Sequence, residues 1–194
     1  LTPFATRAAP VLDKQFRQWR GLPEATATHI PQEGLRDHII IAGYGRVGRY
    51  AAEVLRRFHL PFVVVELDQH IVDEVGKIGC PVIYGDAGSE VVLEAADIHT
   101  ARLMLVAVSA GLDVELIVRR VRHLNPDLDI ITRAVRRGQI EVLQSMGVRE
   151  IVQPEFEAGL EMVRQALLHF DVPVAEVERL SDDARREVYK PFEV

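Results

Sequence analysis

The segment His38-Ile39-Ile40-Ile41-Ala42-Gly43-Tyr44-Gly45-Arg46-Val47-Gly48-Arg49 restricts the fold more than any other part of the chain. Ile39 to Ala42 are four apolar residues in a row, the pattern of a short strand buried on both faces. Gly43, Gly45 and Gly48 follow at G-x-G-x-x-G spacing, and Arg49 to Phe58 continues as a helix. Each glycine answers a separate demand. Gly43 permits a tight strand-to-helix turn, Gly45 lets a phosphate approach bare backbone, and Gly48 lets helix and strand pack closely. The helix N-terminus offers unpaired N–H groups and partial positive charge to an anion. The next apolar run, Phe62 to Val65, ends in Glu66, eighteen residues after Gly48. That is close to the ~20-residue interval at which an acid meets ribose hydroxyls in such a unit. Strand, glycine turn, helix, strand and acid, in that order, predict a nucleotide site.

From Asp37 the alternation is regular. The helix Val47 to Phe58 is expected to bury Ala51, Val54, Leu55 and Phe58. Pro61 introduces the strand Phe62 to Glu66, and Asp68 caps a helix from Gln69 to Ile78 that Gly79 ends. Val82 to Tyr84 is a strand, followed by Gly85-Asp86-Ala87-Gly88 and a helix capped by Ser89 that reaches about Ala96. Leu103 to Val108 is a further apolar strand. The helix Leu112 to Leu124 carries Val114, Ile117, Val118 and Val121 on one face, and Asn125-Pro126 breaks it. Ile130 to Thr132 is a strand, Ile140 to Met146 a helix closed by Gly147, and Glu150 to Val152 the sixth strand. This predicts an α/β fold: a Rossmann-like doubly wound parallel six-stranded sheet in the order 3-2-1-4-5-6, covered on both faces.

A longer helix follows, Glu155 to Phe170, with Phe156, Leu160, Val163, Leu167 and Phe170 on one stripe widened by Met162 and Ala166. A covered sheet leaves that stripe unpartnered, and a second copy of the chain is the economical cover. The last stretch, 171–194, holds seven acids and four bases and reads as an acidic tail that begins a further segment. Residues 1–36 differ again. Arg7, Lys14, Arg17 and Arg20 stand against Asp13, with Leu12, Phe16 and Trp19 on one helical face. A basic amphipathic helix suits either a membrane surface or docking on a parent protein. Gly21 to Asp37, with Pro23, Pro31 and Gly34, reads as a linker. The chain starts at Leu1 and is expected to be a piece of something longer.

Composition narrows the chemistry. A formal net charge of −6 gives no argument for nucleic acid, and a single cysteine suits a reducing compartment. No apolar run is long enough to span a membrane. Cys80, between Gly79 and Pro81, reads as a small buried apolar residue, and the seven histidines show no catalytic pattern, each reading as a surface or strand-edge residue. H-E-x-x-H, C-x-x-C and G-x-S-x-G are absent, and too little chain follows the last helix to supply a dehydrogenase's substrate domain. The expectation is a binding platform rather than an enzyme, with a small NAD-dependent oxidoreductase as the competing class. Arg46 sits at the mouth of the phosphate site, where a guanidinium opposes the helix dipole unless an anion joins it. A second basic cluster, Arg119, Arg120, Arg122, Arg133, Arg136 and Arg137, suits a solvated face, a subunit contact or an anion site. Arg133 is the best placed of them because it ends a strand.

The segments 37–48, Val65-Glu66-Leu67-Asp68 and Val82-Ile83-Tyr84-Gly85-Asp86-Ala87 resemble the RCK domain, also called KTN or the Trk-type N-terminal domain. Ile131-Thr132-Arg133-Ala134 and 147–155 support the likeness, which covers about residues 37–170. Gly-Tyr-Gly-Arg-Val-Gly is most similar to the cytoplasmic domains of Kef-type monovalent cation:proton antiporters, and Leu1 to Phe4 to the stretch leaving their last membrane helix. The resemblance implies a non-enzymatic regulatory dimer on the cytoplasmic face of the cell membrane, its membrane transport domain preceding Leu1. The division it suggests is a segment and linker at 1–36, a nucleotide-binding domain at 37–154, a crossover helix at 155–170 and a tail at 171–194. Site residues implied are Gly43, Tyr44, Gly45, Arg46, Val47, Gly48, Glu66, Leu67, Asp86, Ala87, Ser109 and Arg133. Glu155 matches a position that binds cations at the dimer interface in some relatives. The ligand implied is AMP, ADP, ATP or NAD(H), since Glu66 repels the 2′-phosphate of NADP. Asn125 to Asp129 stands where glutathione-gated Kef proteins carry a histidine, a departure that argues against glutathione control. A gating domain of a potassium channel or Trk/Ktr-type uptake system is the alternative within the family.

Overall fold

The computed structural model describes residues 27–28, 35–108 and 114–190. The basic segment with Leu12, Phe16 and Trp19, and Ser109, lie outside these. Seven strands, β1 Ala27–Thr28, β2 Ile39–Ala42, β3 Phe62–Glu66, β4 Val82–Tyr84, β5 Leu103–Val106, β6 Asp129–Arg133 and β7 Glu150–Val152, form one sheet in the order β1-β4-β3-β2-β5-β6-β7. The last six strands in sequence pair in parallel, and their order is the 3-2-1-4-5-6 expected from the alternation. β1 is an addition. It falls in the stretch read as a linker and pairs antiparallel with β4, Ala27 opposite Ile83 and Thr28 opposite Val82.

The strands are apolar on both faces because helices lie on both. Ile40, Ala42, Val63, Val65, Met104 and Val106 face one core with Leu93, Val118, Val121 and Leu143. Those residues belong to the helices α3 Glu90–Ala95, α4 Val114–Leu124 and α5 Arg137–Ser145. Ile41, Phe62, Val64 and Val82 face the other core, with Ala52, Val72 and Val75 of α1 Arg46–Arg57 and α2 Gln69–Lys77, and with Cys80. That second layer is partial: Leu103, Leu105 and Ile131 on β5 and β6 remain half-buried.

Several local expectations need correction. The buried positions of α1 are Gly48 and Ala52, the small residues that let the helix lie close to the sheet, while Phe58 is 73% exposed at its end. Asp68 caps α2 by accepting from His70 N at 2.9 Å, but Ser89 holds the N-cap position of α3 without a side-chain hydrogen bond. α5 starts at Arg137, three residues earlier than its apolar pattern suggests. His38 is fully buried rather than a surface or strand-edge residue.

The largest difference lies after β7. Helix α6 Pro154–His169 is followed by α7 Val174–Val188, a helix within the stretch read as an acidic tail. The two pack as a hairpin. Val177 and Ser181 of α7 are buried, and Leu160 is the buried residue of α6. Part of the stripe on α6 is therefore covered by the chain's own next helix.

Candidate nucleotide site

The doubly wound order reverses at β2, between β3 and β5, which opens a crevice at the C-terminal ends of these strands. The glycine turn stands at its mouth. Gly43 has φ +92°, and a Cβ there would meet the Val108 backbone at 3.0 Å. A Cβ on Gly48 would sit 1.9 Å from the Gly43 carbonyl oxygen, so α1 approaches β2 only because that position is glycine. Around Gly45 the space where a Cβ would stand is open. The sheet thus requires two of the three glycines, and the third leaves room on the side of the crevice.

Glu66, at the end of β3, is held by backbone. Its Oε2 accepts from Tyr44 N at 2.6 Å, and its Oε1 from Leu67 N at 2.7 Å and Asp68 N at 2.9 Å. A carboxylate offers about four acceptor sites, so capacity remains after three bonds. These bonds tie the glycine turn to the β3–α2 loop, a role that the ribose expectation does not include. Across β4, Asp86 turns its Oδ1 to Gly88 N at 2.8 Å and shapes the loop after Gly85.

A cavity of about 770 Å³ occupies the crevice. Of the residues named from the sequence, Gly43, Gly45, Arg46, Val47, Glu66, Leu67, Asp86, Ala87 and Arg133 line it, and so does Glu155. Gly48 and Tyr44 lie behind the turn. Tyr44 contributes its N–H to Glu66, while its ring is buried among Ala52 and Val72 with the Arg49 guanidinium 5.5 Å from its centroid. Residues not named from the sequence also line the cavity, among them Asp68, Ile71, Ile117, Pro154 and Ala158. Ile71 and Ile117 give it apolar walls, but nothing in their spacing separates them from ordinary helix-face residues.

Two cations stand over this cavity with hydrogen-bonding capacity to spare. Arg46 is exposed on the first turn of α1 and pairs with no acid among the described residues. Arg133 ends β6, and its Nε is buried without a partner. Glu155 is exposed at the start of α6, and among the described residues no cluster of three His, Cys, Asp or Glu suited to a metal includes it.

Residues 39–154 match the TrkA-N domain model. The chain belongs to the TrkA-N family. Among curated relatives, the TrkA-N chain is 31% identical over 164 residues to a K(+) efflux antiporter KefB assigned in Alkalimonas amylolytica, covering 83% of this chain and 24% of that protein. It is 28% identical over 159 residues to the cation/proton antiporter YbaL assigned in Escherichia coli, covering 79% of this chain and 28% of that protein. The chain thus spans about a quarter of the length of these relatives. Among solved structures, the TrkA-N domain of inner membrane protein YbaL from Escherichia coli aligns with a TM-score of 0.65 and 29% identity, over 68% of this chain and 97% of that one. The C-terminal domain of Kef from Shewanella denitrificans, in AMP-bound form, aligns with a TM-score of 0.67 and 25% identity, over 79% and 96%.

A second hollow, of about 1040 Å³, lies at the opposite end of the TrkA-N sheet between Asp37, Leu60, Arg102, Arg122, Asp129 and Glu150. Its half-buried arginine is engaged. Arg122 donates to the carbonyls of Leu128 at 2.6 Å, Gly147 at 3.1 Å, and Met146 and Pro126 at 3.3 Å. Nearby, His38 Nε2–H donates to the Ala96 carbonyl at 2.8 Å, and Nδ1 is buried without a partner. Burial holds the His38 pKa below its ordinary value, against the opposing pull of the Ala96 carbonyl.

Proposed function

We propose that this TrkA-N domain is the nucleotide-binding regulatory part of a monovalent cation:proton antiporter, on the cytoplasmic face of the cell membrane. The single observation that carries the reading is the open space at Gly45 beneath the unpaired Arg46, in a crevice that Glu66 closes from the β3 side. A phosphate at Gly45 would meet the N-terminus of α1 and a guanidinium together. The ligand is AMP, ADP, ATP or NAD(H). The AMP-bound Kef domain supports this ligand class, and the antiporter relatives support the parent. Glu66, kept in place by three N–H groups, disfavours the 2′-phosphate of NADP. The domain binds without transforming its ligand, so nicotinamide absorbance stays unchanged across candidate substrates. Calorimetry with AMP and NAD tests the reading. Binding that Arg46→Ala leaves at wild-type strength for both would overturn it.

A channel parent is the second reading, favoured by 31% identity over 137 residues to Potassium channel protein 1 of Methanocaldococcus jannaschii. The membrane spans encoded before Leu1 decide between them: ten or more for an antiporter, two around a selectivity filter for a channel.

The domain works as a homodimer through the α6–α7 hairpin. Leu160 is buried, but Met162 is 74%, Val163 49% and Phe170 83% exposed, a patch that a twofold-related copy would bury on both subunits. Light scattering at tens of micromolar checks it: wild type is expected to be a dimer, and Met162→Asp/Phe170→Asp a folded monomer. A wild-type monomer would exclude the dimer.

A further inference from the structure

Helix α6 leaves the sheet at β7, and α7 returns to the same place. The return is fixed by Tyr189, the residue after α7. Its phenol Oη accepts from Gln153 N, the N-cap of α6, at 3.0 Å and donates to Glu157 Oε1 at 3.1 Å. Burial raises the phenol pKa, so the proton that the Glu157 bond needs stays in place. The ring meets Phe156 edge-on, with centroids 5.8 Å apart, and packs against the sheet core. Arg185 holds the second Glu157 oxygen at 2.9 Å, and the Gln144 amide donates to the carbonyls of Tyr189 and Lys190 at 3.4 and 3.3 Å.

The first turn of α6 therefore has two sides with different tasks. Gln153, Phe156 and Glu157 are gripped by Tyr189, and Pro154, Glu155 and Ala158 form a wall of the nucleotide cavity. The turn has no side-chain cap of its own, so the phenol is what fixes its entry.

We propose that Tyr189 is a positioning residue for the nucleotide cavity, setting the α6 wall from outside it, so that its grip on the first turn of α6 and occupation of the cavity reinforce each other. The inference rests on the nucleotide reading. Coupling of this kind is reciprocal: bound AMP must lower the population in which the phenol has released Gln153 by the factor with which that grip strengthens AMP binding.

The test compares Tyr189→Phe, which keeps the ring and loses both phenol bonds, with Val177→Ala, which loosens the buried face of α7 and leaves Tyr189 intact. Calorimetry with AMP and NAD is paired with hydrogen exchange of the Gln153 amide. Tyr189→Phe is expected to weaken nucleotide binding about 5-fold, the order of one hydrogen bond's net worth. It should also speed Gln153 exchange in the free protein by about tenfold, through local opening. Val177→Ala is expected to lower the melting temperature and leave the affinity unchanged. Wild-type affinity in Tyr189→Phe overturns the proposal, as does an equal affinity loss in Val177→Ala. A wild-type chain that binds neither AMP nor NAD overturns the nucleotide reading instead, and Gln153 exchange then judges the grip on α6 alone.

Discussion

The two ends of the sheet carry hollows of about 770 and 1040 Å³, and they differ in how Arg133 and Arg122 are held. At the N-terminal end Arg122 gives its donors to four carbonyls, Asn125 Nδ2 donates to the Ile98 carbonyl, and Thr100 Oγ1 donates to the Leu35 carbonyl. At the C-terminal end Arg46 has no acidic partner among the described residues, and the Arg133 Nε is buried and unsatisfied. His38 Nδ1 is also buried and unpaired but lines neither hollow, so the Arg133 donor at the cavity is what favours the C-terminal end for the proposed ligand.

The comparison is most sharply broken at Gly48. Gly48→Ala drives a methyl into the Gly43 carbonyl and should cost about 3 kcal/mol or more, beyond ordinary overpacking. Urea unfolding reads it, and a loss below 1 kcal/mol would mean that the turn yields. Next comes Arg122→Ala, which strands four carbonyls at the far end. About 2–3 kcal/mol of stability should go while AMP affinity stays put. A drop in AMP binding with stability intact would reverse the roles of the two ends. Arg46→Ala is its mirror image: about 1.5–3 kcal/mol of nucleotide binding lost by calorimetry, and an unchanged unfolding midpoint.

The smallest effect belongs to His38. Its folded-state pKa lies below the ordinary 6.5, so the unfolded chain takes up the proton first as the pH falls. This contribution to stability is complete above about pH 6.5 and shrinks below it, at no more than ~1.4 kcal/mol per pH unit. His38→Gln keeps an N–H for the Ala96 carbonyl and should flatten that acid limb in denaturant midpoints. An unchanged limb would assign the acid sensitivity elsewhere.

How far the sequence speaks depends on which atoms do the work. The strands and their order were legible because a parallel sheet buried by helices needs unbroken apolar runs such as Phe62 to Val65. The glycine turn was legible because only glycine meets its steric demands. The apolar stripe of α1 misleads at Phe58, because close packing on the sheet selects the small residues Gly48 and Ala52. The many charges of α7 mask its pattern, in which Val174, Val177, Ser181, Ala184 and Val188 recur at helical spacing. Glu66 is the instructive case. Its position after β3 was readable, but its three backbone bonds arise from a loop conformation that no residue pattern announces.

One feature of the sheet bears on how such chains avoid clumping. Each outer margin of a sheet is a template for strand addition by a neighbouring molecule. Here β4 has only three residues, and β1 occupies the partners of two of them, Val82 and Ile83. At the other margin β7 is also three residues long, begins with Glu150 and follows Arg149. Among the described residues neither margin gives an incoming strand a long, flat, apolar ledge, which disfavours growth edge to edge into fibres. The dimer proposed through α6 and α7 uses helix surfaces instead, and a twofold contact of that kind closes on itself.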